Sequence, residues 1–134
     1  MVEERIVVDT DVISFVFKGH SLAAAYASDL DGKQLVVSFM TVAELKRWAI
    51  KKRWGENRTA RLNQQLRQVI VYPVDLALCQ RWAEVIVEAE NKGRPISPQD
   101  AWIAATALQE NLPLITNNAK DFKDISGLTI ISHG

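Results

Sequence analysis

Short apolar runs give way to helical patterns along this chain, and an acidic residue marks most of the transitions. Ile6-Val7-Val8 runs into Asp9, and Leu35-Val36-Val37 is followed within a helical turn or two by Glu44. Asp121 follows Leu114-Ile115-Thr116, and Asp100 opens the alanine-rich pattern just before that run. Strands that alternate with helices favour a parallel sheet covered by helices on both faces. Right-handed crossovers make that a three-layer α/β/α sandwich. The reading is therefore α/β, with a central, mostly parallel sheet of four to five strands. Residues at strand-to-helix transitions then meet at one edge of the sheet, where ligands of such folds bind.

The strands expected are Arg5 to Val8, Gln34 to Phe39, Val69 to Tyr72, Leu114 to Thr116 and, more weakly, Leu128 to Ile131. Helical patterns run over Val12 to Phe17, Leu22 to Leu30, Thr41 to Arg53, onward from Gly55 to about Gln68, Asp75 to Asn91, and Pro98 to Glu110. On the Asp75 helix, Cys79, Trp82, Ala83 and Ile86 recur at i, i+3, i+4 and i+7 and predict one buried face. That places Cys79 in the core rather than in chemistry.

At 134 residues the chain reads as a single domain, 1–134, long enough to bury a sizeable core. No apolar run approaches the ~20 residues that span a bilayer. Met1-Val2-Glu3-Glu4-Arg5 lacks the basic-then-apolar order of a secretion signal. One cysteine excludes an internal disulfide, and two distant histidines give no zinc-like spacing. A cytoplasmic protein is the expectation.

Formal net charge is zero, yet half of the 16 basic residues fall between Lys46 and Arg67. They are Lys46, Arg47, Lys51, Lys52, Arg53, Arg58, Arg61 and Arg67, against the single acid Glu56. This stripe is either a solvated helix face or a surface for phosphates. Trp48 lies on the apolar stripe of its helix and reads as core. Trp54, beside Gly55, reads as exposed. Either is a candidate to stack a base.

Each acid also has a plain structural explanation. Thr41-Val42-Ala43-Glu44 is a capping box, and Ser97-Pro98-Gln99-Asp100 is nearly one. Asn118 to Asp121 repeats the spacing, and Asp9 or Asp11 suits the start of the first helix. Four caps gathered at one sheet edge, however, repel one another. At ~5 Å and an effective dielectric of ~20, each pair costs on the order of 3 kcal/mol. Mg²⁺ or Mn²⁺ relieves that cost, because hard cations prefer carboxylate oxygen and water. Such ions acidify water and steady in-line attack on phosphorus.

Four stretches resemble the PIN domain, and in particular the VapC-type toxin ribonucleases of toxin–antitoxin pairs. They are IVVDTDVISF from Ile6, SFMTVAELKRWA from Ser38, SPQDAWIAATAL from Ser97 and LITNNAKDF from Leu114. Together they span essentially the whole chain in the family's order. The resemblance implies metal-dependent RNA cleavage by an activated water, leaving a 5′-phosphate and a 3′-hydroxyl. It carries the metal-holding acids onto Asp9, Glu44 and Asp100. Some members have an aspartate where this chain has Asn118, so Asp121 stands as the substitute, with Asn118 offering a carbonyl oxygen or holding a metal-bound water. Thr116 is implied as a supporting hydrogen-bonding residue. Asp11 replaces a more usual Asn or Ser, either adding an outer carboxylate or capping the helix. Lys46, Arg47, Lys51, Lys52, Arg53 and Arg58 are the implied RNA contacts. An antitoxin protein and a homodimer are the implied partners. The alternatives are a PIN-like module that binds RNA or protein without cutting, and an aspartate-nucleophile phosphatase of the haloacid-dehalogenase type. A receiver domain fits poorly, since the third strand runs into Pro73.

Overall fold

A computed structural model describes residues 4–134. Residues 1–3, on which most of the N-terminal signal reading rests, lie outside it. The sheet has five strands: β1 (Arg5–Val8), β2 (Gln34–Ser38), β3 (Ile70–Tyr72), β4 (Leu114–Ile115) and β5 (Ile130–Ile131). Their spatial order is β3-β2-β1-β4-β5, and every neighbouring pair is parallel. The chain builds outward from β1 to β3, then returns to lay β4 against the other side of β1. Strand order thus reverses between β1 and β4, which is the position of the binding crevice in open parallel sheets.

Successive side chains of β1 point to opposite faces, and two separate cores result. Ile6 and Val8 join Val37 and Ile115 under α1 (Thr10–Lys18), α3 (Phe39–Lys51) and α4 (Glu56–Leu66). Val7 joins Val36 and Leu114 under α5 (Leu76–Asn91) and α6 (Pro98–Gln109). α6 is buried along most of its length, and its alanines Ala101, Ala104, Ala105 and Ala107 let it approach the sheet closely. Between α1 and β2 the expected single helix divides into a 3-10 turn, Ser21–Tyr26, and a short α2, Ala27–Leu30.

Two local expectations fail. The first helix after β2 is capped by Ser38, whose hydroxyl accepts from Met40 N at 3.1 Å, not by Thr41. Both residues are good caps, and Ser38 is the one that ends the extended strand. On α5 the buried residues are Leu78, Val85 and Ala89, and Cys79 is exposed. The stripe is rotated by one position, and Trp82 sits on its border in both registers. Among the described residues no helix is long and apolar enough to cross a membrane.

Candidate active site

The reversal point brings the acids together. Asp9, Asp11, Glu44, Asp100 and Asp121 line one cavity of about 170 Å³, with Thr10, Asn118 and Trp48. Each arrives for a local reason. Asp9 leaves β1 in extended conformation and caps α1, its Oδ1 accepting from Thr10 N at 2.7 Å. Its Oδ2 accepts from the Thr116 hydroxyl at 2.7 Å, across the β1–β4 junction. Asp11 accepts from Val12 N at 2.6 Å, Asn117 N at 3.1 Å and Asn118 Nδ2 at 3.0 Å. The loop after β4 therefore holds both aspartates of the loop after β1.

Glu44 is one turn further into α3 than a cap requires, because Ser38 already caps that helix. Instead it accepts from the Thr10 hydroxyl at 3.0 Å, and Thr10 and Thr41 share a hydroxyl–hydroxyl bond of 2.9 Å. This buried pair of threonines was not anticipated; nothing marks Thr10 and Thr41 in the sequence except their nearness to Asp9 and Glu44. Asp100 lies in the first turn of α6, where Ser97 caps its backbone N at 3.1 Å. That end of α6 is fixed by aromatic packing. Trp102 meets Trp82 and Phe39 at 5.1 Å each, and Trp82 Nε1 donates to Pro98 O at 3.2 Å. Asp121 closes a 3-10 turn, Ala119–Asp121, that Asn118 does not cap by its side chain. Asp121 and Asn118 are both exposed and both face the cavity.

The electrostatics tie the five acids into one unit. Burial pushes the Asp9 carboxyl up to about 7, and the neighbouring Asp11 and Asp100 charges add to it against the Thr116 and Thr10 bonds. Asp100 is pushed up to about 6, first by burial and then by Asp121, Glu44 and Asp11, while Ser97 opposes. Burial also raises Asp11 and Glu44. Among the described residues, no cation offsets the charge of Asp9, Asp11 or Asp100. Among the described residues, no three of the acids close into a ready-made ligand shell around one point. The donors are nonetheless all oxygen, each Asp9 oxygen keeps a lone pair beyond its hydrogen bond, and the set suits a hard divalent cation.

The basic stripe does not form one face. Lys46 and Arg53 border a groove between α3 and α4 with Ile50 and Asn63, Lys46 donating to Asn63 at 3.0 Å. Lys52 turns the other way, its Nζ lying 6.0 Å from the Trp48 ring centre. Arg58 stacks over Trp54 at 4.0 Å. Arg47 lies near enough to Glu44 to favour its charged form, and Lys51 is exposed at the end of α3. Trp54 is half-buried against the core rather than exposed, and Trp48 is half-buried at the rim of the acidic cavity.

A parallel sandwich with carboxylates clustered at its switch point defines a class, that of α/β folds with an acidic site at the strand-order reversal. The model of the PIN domain family matches residues 6–128. A Ribonuclease VapC1 of Haemophilus influenzae (strain R2866) is 32% identical over 90% of this chain and 91% of its own length. A tRNA(fMet)-specific endonuclease VapC of Shigella flexneri is 26% identical over 92% and 94%. In three dimensions, VapBC-1 from nontypeable Haemophilus influenzae superposes with a TM-score of 0.76 at 28% identity, covering 96% of this chain and 97% of that one. VapBC2 of Rickettsia felis, at 24% identity, shares the fold with a TM-score of 0.84 over 97% and 99%. The chain belongs to the PIN domain family, within its VapC branch.

Proposed function

We propose that this chain is an Mg²⁺- or Mn²⁺-dependent endoribonuclease, the toxin of a type II toxin–antitoxin pair. The observation that carries the reading is the convergence of five acids on one cavity at the sheet's switch point. The kinship supports it, since relatives of near-equal length are ribonucleases by name. Asp9, Glu44, Asp100 and Asp121 would hold the ion, directly or through water. When bound, the ion supplies charge to the phosphate and acidity to water.

The chain's own residues do the rest. Thr116 and the Thr10 amide fix both oxygens of Asp9, so its orientation does not depend on the ion. Thr10, held by Thr41, sets the Glu44 carboxylate. Asn118, which lines the cavity, anchors Asp11 through its amide nitrogen. The cavity lining contains no Ser, Cys or His, and its one hydroxyl is engaged with Glu44, so the attacking group in this reading is water. The partner expected is a cognate antitoxin, since the structural neighbour from nontypeable Haemophilus influenzae is a VapBC pair.

The test is RNA-end sequencing after brief expression, wild type against Asp9→Asn, with purified protein assayed in parallel. New ends bearing 5′-phosphates are expected only in the wild type, and EDTA is expected to stop cleavage until Mg²⁺ or Mn²⁺ is restored. Folded, metal-loaded wild-type protein that cuts no cellular RNA overturns the reading.

A further inference from the structure

Glu44 and Trp48 on α3 and Lys52 at its C-terminal cap are spaced four apart, so they stack along one face over about 12 Å. The lower end of this stripe is the carboxylate of the acidic cavity, and Trp48 lines the same cavity. Above it stand two ammonium groups from different elements. Lys18, at the end of α1, lies 5.7 Å from the Trp48 ring centre and Lys52 lies 6.0 Å from it. Burial lowers the Lys18 pKa, and the charges of Lys52 and then Arg58 add to it. Among the described residues, none of Lys18, Lys52 and Arg58 forms an ion pair. Beyond Lys18 the cationic surface continues into a cavity of about 240 Å³ where Arg58 and Arg61 flank Trp54.

A neutral chain has thus gathered two unpaired ammonium groups around an aromatic ring at the lip of its carboxylate site, with Arg58 stacked on the neighbouring Trp54. We propose that Trp48 is the stacking platform for a base next to the bond that is cut, with Lys18, Lys52 and Arg58 taking the following phosphates of a single strand. The inference rests on the ribonuclease reading. Carboxylates that call for a cation, then an aromatic face, then basic groups match the order in which a strand presents a scissile phosphate, a base and the next phosphate. An acidic protein segment matches only the upper end. Lys18 and Lys52 are exposed on flexible stems. Their ammonium groups swing from the ring to an arriving phosphate and so uncover the indole.

The experiment measures binding of a fluorescein-labelled, mixed-sequence 12-nucleotide single-stranded RNA by anisotropy, with Ca²⁺ replacing Mg²⁺. Trp48→Ala is expected to weaken binding about 5- to 150-fold, the equivalent of one base–aromatic stack at ~1–3 kcal/mol, and Trp48→Phe is expected to restore most of it. The double variant Lys18→Ala/Lys52→Ala is expected to reduce the slope of log affinity against log salt by about 1.4, at ~0.7 per phosphate contact in single strands. Thermal unfolding of each variant separates lost binding from lost fold, and the lysine variant, being at the surface, keeps the question open if Trp48→Ala unfolds. Wild-type affinity and salt slope in the folded lysine variant overturn the inference. So does a loss confined to a poly-glutamate probe, which assigns the patch to an acidic protein. Wild-type protein that cuts RNA while the variants bind normally refutes only this subsite. Wild-type protein that neither binds nor cuts RNA refutes the ribonuclease reading with it.

Discussion

The two walls of the acidic cavity are built differently. On the inner wall, at the β1–β4 junction, Asp9 is 7% exposed and both of its oxygens are hydrogen-bonded. Asp11 accepts three bonds there. On the outer wall, Asp100 and Asp121 sit at a helix start and in a 3-10 turn, more open to water. Asp121 joins the site mainly through its charge on Asp100. The inner wall is preorganised by backbone and threonine donors, whereas on the outer wall aromatic packing fixes the start of α6 and Asp121 is exposed.

The largest effect that separates the walls is expected from Asp9→Asn, with cleavage falling at least about 10³-fold, against roughly tenfold for Asp121→Asn. Single-turnover rates on one RNA check both, and equal losses would erase the distinction. Metal-free Asp9→Asn protein is expected to be more stable than wild type at pH 8, by on the order of 2–4 kcal/mol, in urea unfolding. The inner wall's order is expected to depend on Thr116. Thr116→Val leaves Asp9 one donor short, and cleavage is expected to drop about 10- to 100-fold, with weaker Mn²⁺ binding by calorimetry.

A pH series sharpens the contrast further. Asp9 and Asp100 hold their protons more tightly folded, at about 7 and about 6, than unfolded, at 3.8. Folding therefore takes up protons, and their contribution to stability is full below about pH 4 and lost as pH rises to about 7. Metal-free protein is expected to lose stability across that window, with Asp9 accounting for the upper end. Saturating Mg²⁺ is expected to flatten the curve, and a flat curve without metal would contradict the burial of an uncompensated Asp9. The smallest effect expected is at Cys79. Exposed on α5 and absent from the cavity lining, it is expected to react with a thiol reagent in the folded state while cleavage stays unchanged.

Much of this was legible in sequence for one physical reason. Parallel strands place their ends at a common edge, so Asp9, Glu44, Asp100 and Asp121 are assigned to one neighbourhood by the alternation of runs alone. What was illegible depended on side-chain competition within a turn. Ser38 and Thr41 are both good caps, and only the end of β2 decides between them. The α5 stripe reads equally well in two registers, because Trp82 belongs to the border of each. Lys18 lay outside the dense basic segment, and only the packing of α1 beside α3 brings it over Trp48.

The junction of β1 with β4 also sets a timetable. Asp9 and the hydroxyl that holds it are 107 positions apart. At ~5–20 residues per second, roughly 5–20 s of translation separate them. During that interval the growing polypeptide carries its first aspartate with no β4 beside it and no Thr116 to fix it. A ribosome making this protein is itself surrounded by RNA, and the central strand pair that fixes this aspartate closes only when synthesis is nearly done.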